Sequence, residues 1–195
     1  MVEEIKVGEK IKALREDQAM TLEQAAKRAG LTPSILSQIE NHMVSPPLGT
    51  LILLAKALGV PVGQFFGEEG NEPVCLVRAN ERKVVSRFAS NEGLSYGYSY
   101  ESLGWGKKDR KMEPFFVTLT PAEVPHVDPN QHAGEEFFFV LEGEVEVTFG
   151  GHTDVLQPGD SIYYSSIVPH QVSCHGDQPA KIVAVIWSSE EMVIL

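Results

Sequence analysis

One seven-residue break, Gly67-Glu68-Glu69-Gly70-Asn71-Glu72-Pro73, separates two kinds of hydrophobic patterning that no single regular architecture accommodates. It is acidic, rich in turn formers and without periodicity. Before it, apolar residues recur at helical spacing between capping signals. After it, short apolar or alternating runs are separated by turns. The chain therefore reads as a helical domain over 1–66, a linker over 67–73 and a β domain over 74–195. At 195 residues it is long enough for two modest domains, and 43% hydrophobic residues is the content of an ordinary globular protein.

Charge divides at the same break. Residues 1–66 hold seven Lys/Arg and seven Asp/Glu, whereas 67–195 hold nine and twenty, so the second part carries the whole formal charge of −11. A domain so acidic repels phosphate and is excluded as a general nucleic-acid binder. Any DNA contact must come from the balanced first third. The segment Met1 to Lys12 is charged throughout and unlike an export signal. The longest apolar runs, Phe137–Leu141 and Ile182–Trp187, are far too short to cross a bilayer. Cys75 and Cys174 stand in neither metal nor redox spacing, and two free thiols fit a cytoplasmic protein with no membrane partner.

Ile5, Ile11 and Leu14 give a first amphipathic helix that ends near Arg15-Glu16-Asp17. Thr21-Leu22-Glu23-Gln24 is a capping-box pattern opening a second helix, Leu22 to Ala29, which stops at Gly30. Leu31-Thr32-Pro33 follows at once, with Thr32 as N-cap and Pro33 at the first helical position. Two helices joined by so short a glycine-containing turn have helix-turn-helix geometry. In the third helix, Pro33 to Asn41, Ile35, Leu36 and Ile39 form the apolar stripe expected to pack inward. Ser34, Ser37, Gln38 and Asn41 fall at i, i+3, i+4 and i+7 and line one exposed face. Short hydroxyls and amides without long charges suit a surface that reads base edges, since Gln pairs two-pronged with adenine and Ser or Thr serves base or phosphate. The alternative is a merely solvated helix face.

This segment resembles the Cro/repressor-type (XRE-family) helix-turn-helix. The carriers are Leu22-Glu23-Gln24-Ala25-Ala26, Gly30-Leu31-Thr32-Pro33-Ser34, Leu36-Ser37-Gln38-Ile39-Glu40, Pro46-Pro47-Leu48 and Leu54-Ala55-Lys56-Ala57-Leu58-Gly59-Val60. The resemblance spans about 7–66 and implies a five-helix lambda-repressor-like DNA-binding domain, the fifth helix being Pro61 to Phe66. Leu22 stands where the family often has a phosphate-touching Gln, and Asn41-His42-Met43 where it often has Arg or Lys. Both departures imply weaker, less salt-sensitive binding per subunit. Lys6, Lys10, Lys12, Arg15, Lys27 and Arg28 remain as candidate backbone contacts, and Thr32, Ser34, Ser37, Gln38 and Asn41 as candidate readers.

Beyond the linker, β-like runs are expected at Val74–Val77, Lys83–Arg87, Leu94–Glu101, Phe115–Leu119, Glu136–Leu141, Glu144–Phe149, Asp154–Leu156, Ser161–Tyr164, His170–Cys174 and Ala180–Trp187. Their spacing argues for an antiparallel sandwich or barrel. Here the chain resembles the cupins. The first motif is carried by His132, Glu136 and Gly143, and the second by Pro158-Gly159-Asp160 and Val168-Pro169-His170, over about 110–188. The resemblance implies an antiparallel double-stranded β-helix barrel, a fold that hosts enzymes, sensors and scaffolds alike.

His132, Glu136 and His170 offer two imidazoles and a carboxylate, a facial set suited to one divalent metal: Fe, Mn, Ni or Zn. The family pattern usually has a further His at the position of Asn130, and His126 lies further upstream. The other reading is a pocket in which these groups bond to one another or hold an organic ligand. Tyr96, Tyr98 and Tyr100 alternate on one strand face, where they either line the pocket with Asn130 or pack against the barrel wall. Lys107-Lys108-Asp109-Arg110-Lys111 is the basic cluster of an acidic domain, either a solvated loop or a site for an anionic effector.

Three readings of function follow, the third of them a DNA-binding scaffold whose cupin serves only for dimerisation. The first is a transcriptional regulator that binds a double-stranded DNA operator as a homodimer, with the cupin as effector sensor and dimerisation surface. One recognition helix reads too few base pairs to act alone. The second is an enzyme, because His132-Ala133-Gly134-Glu135-Glu136-Phe137 leading to Val140-Leu141-Glu142-Gly143-Glu144 also resembles the mononuclear-iron phosphonate epoxidases. That family uses a Lys near the start of its second helix, and Ala19-Met20-Thr21 has none.

Overall fold

A computed structural model describes residues 5–44, 46, 48–66, 73–89, 95–107, 110–122 and 129–187. Within them, four α-helices precede nine strands: α1 (Val7–Asp17), α2 (Leu22–Ala29), α3 (Pro33–Glu40), α4 (Leu48–Leu58), then β1 (Lys83–Ala89), β2 (Ser95–Ser102), β3 (Glu113–Leu119), β4 (Glu135–Glu142), β5 (Val145–Phe149), β6 (His152–Leu156), β7 (Ser161–Ser165), β8 (His170–Cys174) and β9 (Ala180–Trp187). The expected linker lies outside the described residues except for Pro73.

The helical part forms where its caps direct it. Thr21 Oγ1 accepts from the Gln24 amide at 3.2 Å while Gln24 Oε1 accepts from the Thr21 amide at 2.9 Å, a reciprocal box that starts α2. Gly30, at φ 71°, takes the left-handed conformation that ends it. Thr32 Oγ1 accepts from the Ile35 amide at 3.3 Å and Pro33 opens α3. Ala25, Ala26, Leu36, Ile39, Leu51, Leu54 and Leu58 bury themselves together. Gly8 lets α1 approach α3, since a methyl there would lie 2.2 Å from the Ile39 carbonyl oxygen.

The expected fifth helix is instead a 3-10 helix, Val62–Phe66. Pro61 precedes the first turn and its carbonyl accepts from the Gln64 amide at 3.0 Å, Gly63 inside the turn disfavours a regular helix, and burial of Phe65 and Phe66 fixes the short turn by packing. The expected strand at Val74–Val77 is absent. Val74 and Leu76 are 77% and 67% exposed and face no partner strand among the described residues.

All strand pairs are antiparallel, in a six-stranded sheet ordered β1-β2-β3-β9-β4-β7 and a three-stranded sheet ordered β6-β5-β8. A closed barrel was expected; among the described residues the two sheets share no ladder, and an isolated bridge ties Asn130, in the loop before β4, to His170 of β8. The core lies between them, with Phe115, Val117 and Leu119 of β3, Phe138 and Val140 of β4, Val145 and Val147 of β5 and Ile182 of β9 all buried. Gly143, at φ 72°, makes the β4–β5 turn, where a methyl would lie 2.5 Å from the Pro179 carbonyl oxygen. Among the described residues no helix is long and apolar enough to cross a membrane.

Candidate functional site

Two places concentrate chemistry. The first is α3. Thr32, Ser34 and Asn41 are exposed, and Ser37 and Gln38 are half-buried on the same side. Leu36 and Ile39 pack inward as expected, but Ile35 does not, being 40% exposed. The stripe is centred on Leu36, Ile39 and the buried Glu40, which turns Ile35 to the rim of the reading side. Asn41 is the C-cap, and its Nδ2 donates to the Ser37 carbonyl at 2.8 Å, so part of its amide serves the helix end.

Arg15, a candidate phosphate contact by sequence, is buried. Its Nε donates to Glu40 Oε1 at 2.7 Å, one Nη to Glu40 Oε2 at 2.8 Å, and the other Nη to the Met20 carbonyl at 3.0 Å. The pair ties α1 to the end of α3, and the Glu40 carboxylate holds the guanidinium above its ordinary pKa. Lys6 pairs with Glu9 at 2.9 Å on the surface. Lys12, Lys27 and Arg28 are exposed, the last two in the final turn of α2.

The second place is built on β4, β7, β8 and the loop before β4. The Asn130 amide donates to the His170 carbonyl at 2.7 Å and the His170 amide to the Asn130 carbonyl at 2.9 Å, which fastens the loop to β8. The His132 amide donates to the Ser166 carbonyl at 2.9 Å and the Ser166 amide to the Gly134 carbonyl at 3.0 Å, which fixes where His132 leaves the chain. Strand alternation then sends Glu136 inward beside Phe138 and Val140. The ligand atoms of His132, Glu136 and His170 all lie within 4.8 Å of one another. Glu136 Oε1 is 2.6 Å from His132 Nε2 and 3.5 Å from His170 Nε2.

Tyr164, opposite Glu136 in the β4–β7 register, donates its hydroxyl to Glu136 Oε2 at 2.6 Å. Nothing in the sequence singled it out, because that register is a pairing across 28 positions; only the alternation of β7 carried a signal. Burial would raise the Glu136 carboxyl, but hydrogen bonds from His132, His170 and Tyr164 and the charge of His132 outweigh it and hold it well below the usual carboxylate range. Burial pulls His170 down, yet its bond to Glu136 prevails and the imidazole sits above its ordinary value. Burial first, then Glu136, push the Tyr164 hydroxyl well up.

The donor set fits a divalent cation. His132 Nδ1 lies 3.3 Å from the Ala133 carbonyl and His170 Nδ1 2.9 Å from the Val168 carbonyl. A carbonyl only accepts, so each Nδ1 is the protonated nitrogen and each Nε2 turns toward the carboxylate. There it either carries a second proton or offers its lone pair to a metal.

A pocket partly open to solvent leads to this cluster. Tyr98, Tyr100 and Asn130 line it with Val117, Leu119, Phe138, Val172 and Ile182, and so do Leu48 and Gly49 from α4. Tyr98 and Tyr100 stack with ring centroids 6.2 Å apart, and Tyr98 donates its hydroxyl to the Val172 carbonyl. Burial pushes the Tyr98 hydroxyl up to about 12. The side chain of Tyr96 and all of His126 lie outside the described residues. From the basic cluster, Arg110 does not face solvent: Nε donates to Glu113 at 2.7 Å and one Nη to the Gly63 carbonyl at 3.0 Å.

Comparison with known proteins matches residues 11–65 to the helix-turn-helix family and 115–186 to the cupin domain family. The HTH-type transcriptional regulator PuuR of Escherichia coli (strain K12) is 31% identical over 166 residues, 85% of this chain and 86% of its own length. The (S)-2-hydroxypropylphosphonic acid epoxidase of Streptomyces wedmorensis is 28% identical over 191 residues, 91% of this chain and 93% of that protein. The crystal structure of an HTH_3 family transcriptional regulator from Vibrio cholerae superposes with a TM-score of 0.65 at 24% identity over 95% of this chain and 96% of its own. The chain therefore belongs to the XRE-type helix-turn-helix transcriptional regulators that carry a cupin domain.

Proposed function

We propose that this protein is a sequence-specific DNA-binding regulator with a reading head over 1–66, a linker over 67–73, and a cupin over 74–195 that senses a small molecule or divalent metal and joins two copies. The observation that carries the reading is the polar side of α3, held in place from behind by the buried Arg15–Glu40 pair. With α3 in the major groove, Ser34, Ser37 and Gln38 meet base edges, Asn41 offers its carbonyl oxygen, and the exposed Ile35 suits a thymine methyl. Thr32, Lys27 and Arg28 flank the groove as phosphate contacts. PuuR and a second relative, the HTH-type transcriptional regulator SutR of Escherichia coli (strain K12), 21% identical over 178 residues, support this reading.

Two-fold operators call for two heads. Phe139, Leu141, Tyr163 and Trp187 on β4, β7 and β9 are 38%, 40%, 63% and 42% exposed, an apolar and aromatic surface, edged by the Glu135 carboxylate that Tyr163 holds, on which two cupins can meet. His132, Glu136 and His170 would hold the metal, which when bound supplies a Lewis-acid anchor for a chelating effector. The same chain, working in the cell's reducing interior, needs no disulfide. Footprinting on the DNA upstream of the protein's own gene, with and without Fe(II), Mn(II), Ni(II) or Zn(II), tests the reading. Absence of any protected site would overturn it.

A second reading, a mononuclear non-haem iron enzyme, is favoured by the imidazole–carboxylate cluster and the likeness to the epoxidase. The described pocket lining contains no Lys or Arg to hold a phosphonate, which ranks it second. Anaerobic Fe(II) loading, followed by (S)-2-hydroxypropylphosphonic acid with hydrogen peroxide as the two-electron oxidant and product analysis, decides it; no turnover with the oxidant present removes it.

A further inference from the structure

The pocket is not walled by the cupin alone. Leu48 and Gly49, the first residues of α4, form part of its lining, and the remaining lining residues come from the β part. The contact is tight: a methyl built on Gly49 would lie 2.9 Å from Asn130 Oδ1 and 3.6 Å from Asn130 Cβ. Asn130 is itself clamped to His170 by the two backbone bonds of 2.7 and 2.9 Å. Thus the backbone of α4 rests on the residue that is paired with one member of the buried cluster.

Away from the pocket, the two parts are joined by different contacts. The Ile5 amide donates to the Val84 carbonyl at 2.8 Å, Arg110 donates to the Gly63 carbonyl at 3.0 Å, and Phe66 meets Phe115 edge-on at 5.3 Å between ring centroids. Phe66 and Phe115 are both fully buried, so this side of the seam is anchored. On the pocket side the partners are a glycine, a half-buried asparagine and a leucine edge. Opening therefore costs least at Leu48–Gly49, with the anchored side as the pivot.

We infer that the pocket is a two-domain ligand site, in which any molecule larger than a single ion reaches His132, Glu136 and His170 past Leu48 and Gly49 and is afterwards bounded by them. The His132 and His170 side chains are 2% and 3% exposed and Glu136 15%, so a molecule that engages all three has to widen the pocket, and the α4 wall is the one held by the weakest contacts. α4 packs chiefly on α2, and α2 in turn on α3, while no strand packs on α4 to a comparable extent among the described residues, so α4 moves with α2 and α3 as a body. On the regulator reading above, an occupant's differential contact with α4 in the open and closed seam is what reaches the reading helix.

The test uses the full chain with Cys75→Ser and Cys174→Ser, into which Gly49→Cys and Asn130→Cys are introduced. The built Cβ–Cβ separation of 3.6 Å falls within the range that disulfides span. Diethyl pyrocarbonate is the probe, a small acylating molecule whose imidazole adducts are counted by peptide mass spectrometry. On mild oxidation the pair should cross-link within one chain. Modification of His132 and His170 should then slow by about tenfold or more relative to the reduced protein, because opening is blocked. Exposed His152 and His175 serve as internal controls whose rates stay unchanged. In an otherwise native chain, Leu48→Ala should act oppositely and quicken modification at His132 and His170 severalfold. Failure to cross-link in a folded protein, or equal rates at His132 and His170 in the oxidised and reduced forms, overturns the inference. No DNA enters this measurement, so its failure is distinct from an absent footprint.

Discussion

Arg15 and Glu40 lie 25 positions apart and meet through two charge-assisted hydrogen bonds of 2.7 and 2.8 Å, with the Arg15 and Glu40 side chains only 11% and 3% exposed. The pair sets the angle at which α3 leaves the core. Removing one partner strands the other charge in an apolar setting. Arg15→Ala should therefore cost about 3 kcal/mol or more. Arg15→Met with Glu40→Leu, which leaves no orphan charge, should recover most of that loss. Urea unfolding of the single and double variants checks the order.

Gly8 supports the same packing. A methyl there would meet the backbone of Ile39, which cannot give way as a flexible side chain would. Gly8→Ala is thus expected to destabilise by about 1–3 kcal/mol despite the better helix propensity of alanine. A midpoint that rises in denaturant titration would contradict this packing account.

On the proposed function, α3 and the end of α2 should separate by their salt dependence. Gln38→Ala should lose about 1–3 kcal/mol on the cognate operator and little on unrelated DNA. Lys27→Ala should weaken both alike and reduce the slope of log affinity against log salt by about one. Fluorescence anisotropy with operator and scrambled duplexes across a salt series measures each arm.

Local signals made the helical head legible. The Thr21–Gln24 box, Gly30 and Thr32-Pro33 each act within four residues, so the bounds of α2 and α3 follow from the chain itself. The β strands were legible by alternation, and so was the grouping of His132, Glu136 and His170, through motif spacing. What escaped depends on distant pairing. Arg15 reads as an exposed cation until Glu40 arrives from another helix. Ile35 reads as core until Leu36 and Glu40 set the rotation of α3. Tyr164 meets Glu136 only through sheet register, and Gly49 meets Asn130 only through the seam between the two parts. At Val74–Val77 the apolar run was genuine, but among the described residues no neighbouring strand pairs with it.

The buried cluster gives a metal prediction with a pH sign. Co(II) uptake, followed by its visible absorption and by elemental analysis, should vanish in His132→Ala and His170→Ala. Since Glu136 keeps its carboxyl ionised far into acid, the competing proton sits on imidazole, and His170 holds it above the ordinary value of 6.5. Affinity should therefore fall as pH drops, by about tenfold per unit once below that raised pKa. Uptake independent of pH between 5 and 7, values taken as roughly the range of imidazole titration, would place the ion elsewhere.

Glu113 gives the last expectation, at the anchored side of the seam. Burial raises its carboxyl from 4.5 to about 7, with Arg110 opposing the rise through its charge and its 2.7 Å hydrogen bond. Between those values the folded chain keeps a proton that the unfolded chain releases. Stability must then decline as pH rises through the window, by up to about 3 kcal/mol, and level off above the folded-state value. Glu113→Gln removes the titrating group while keeping a polar partner for Arg110, so its stability should be flatter across the same window. Arg110→Met should push the Glu113 carboxyl higher still and extend the decline to more alkaline pH. Chemical denaturation of the three proteins at stepped pH reads all of this directly, and a wild-type stability that increases from pH 4.5 to about 7 would reverse the assignment.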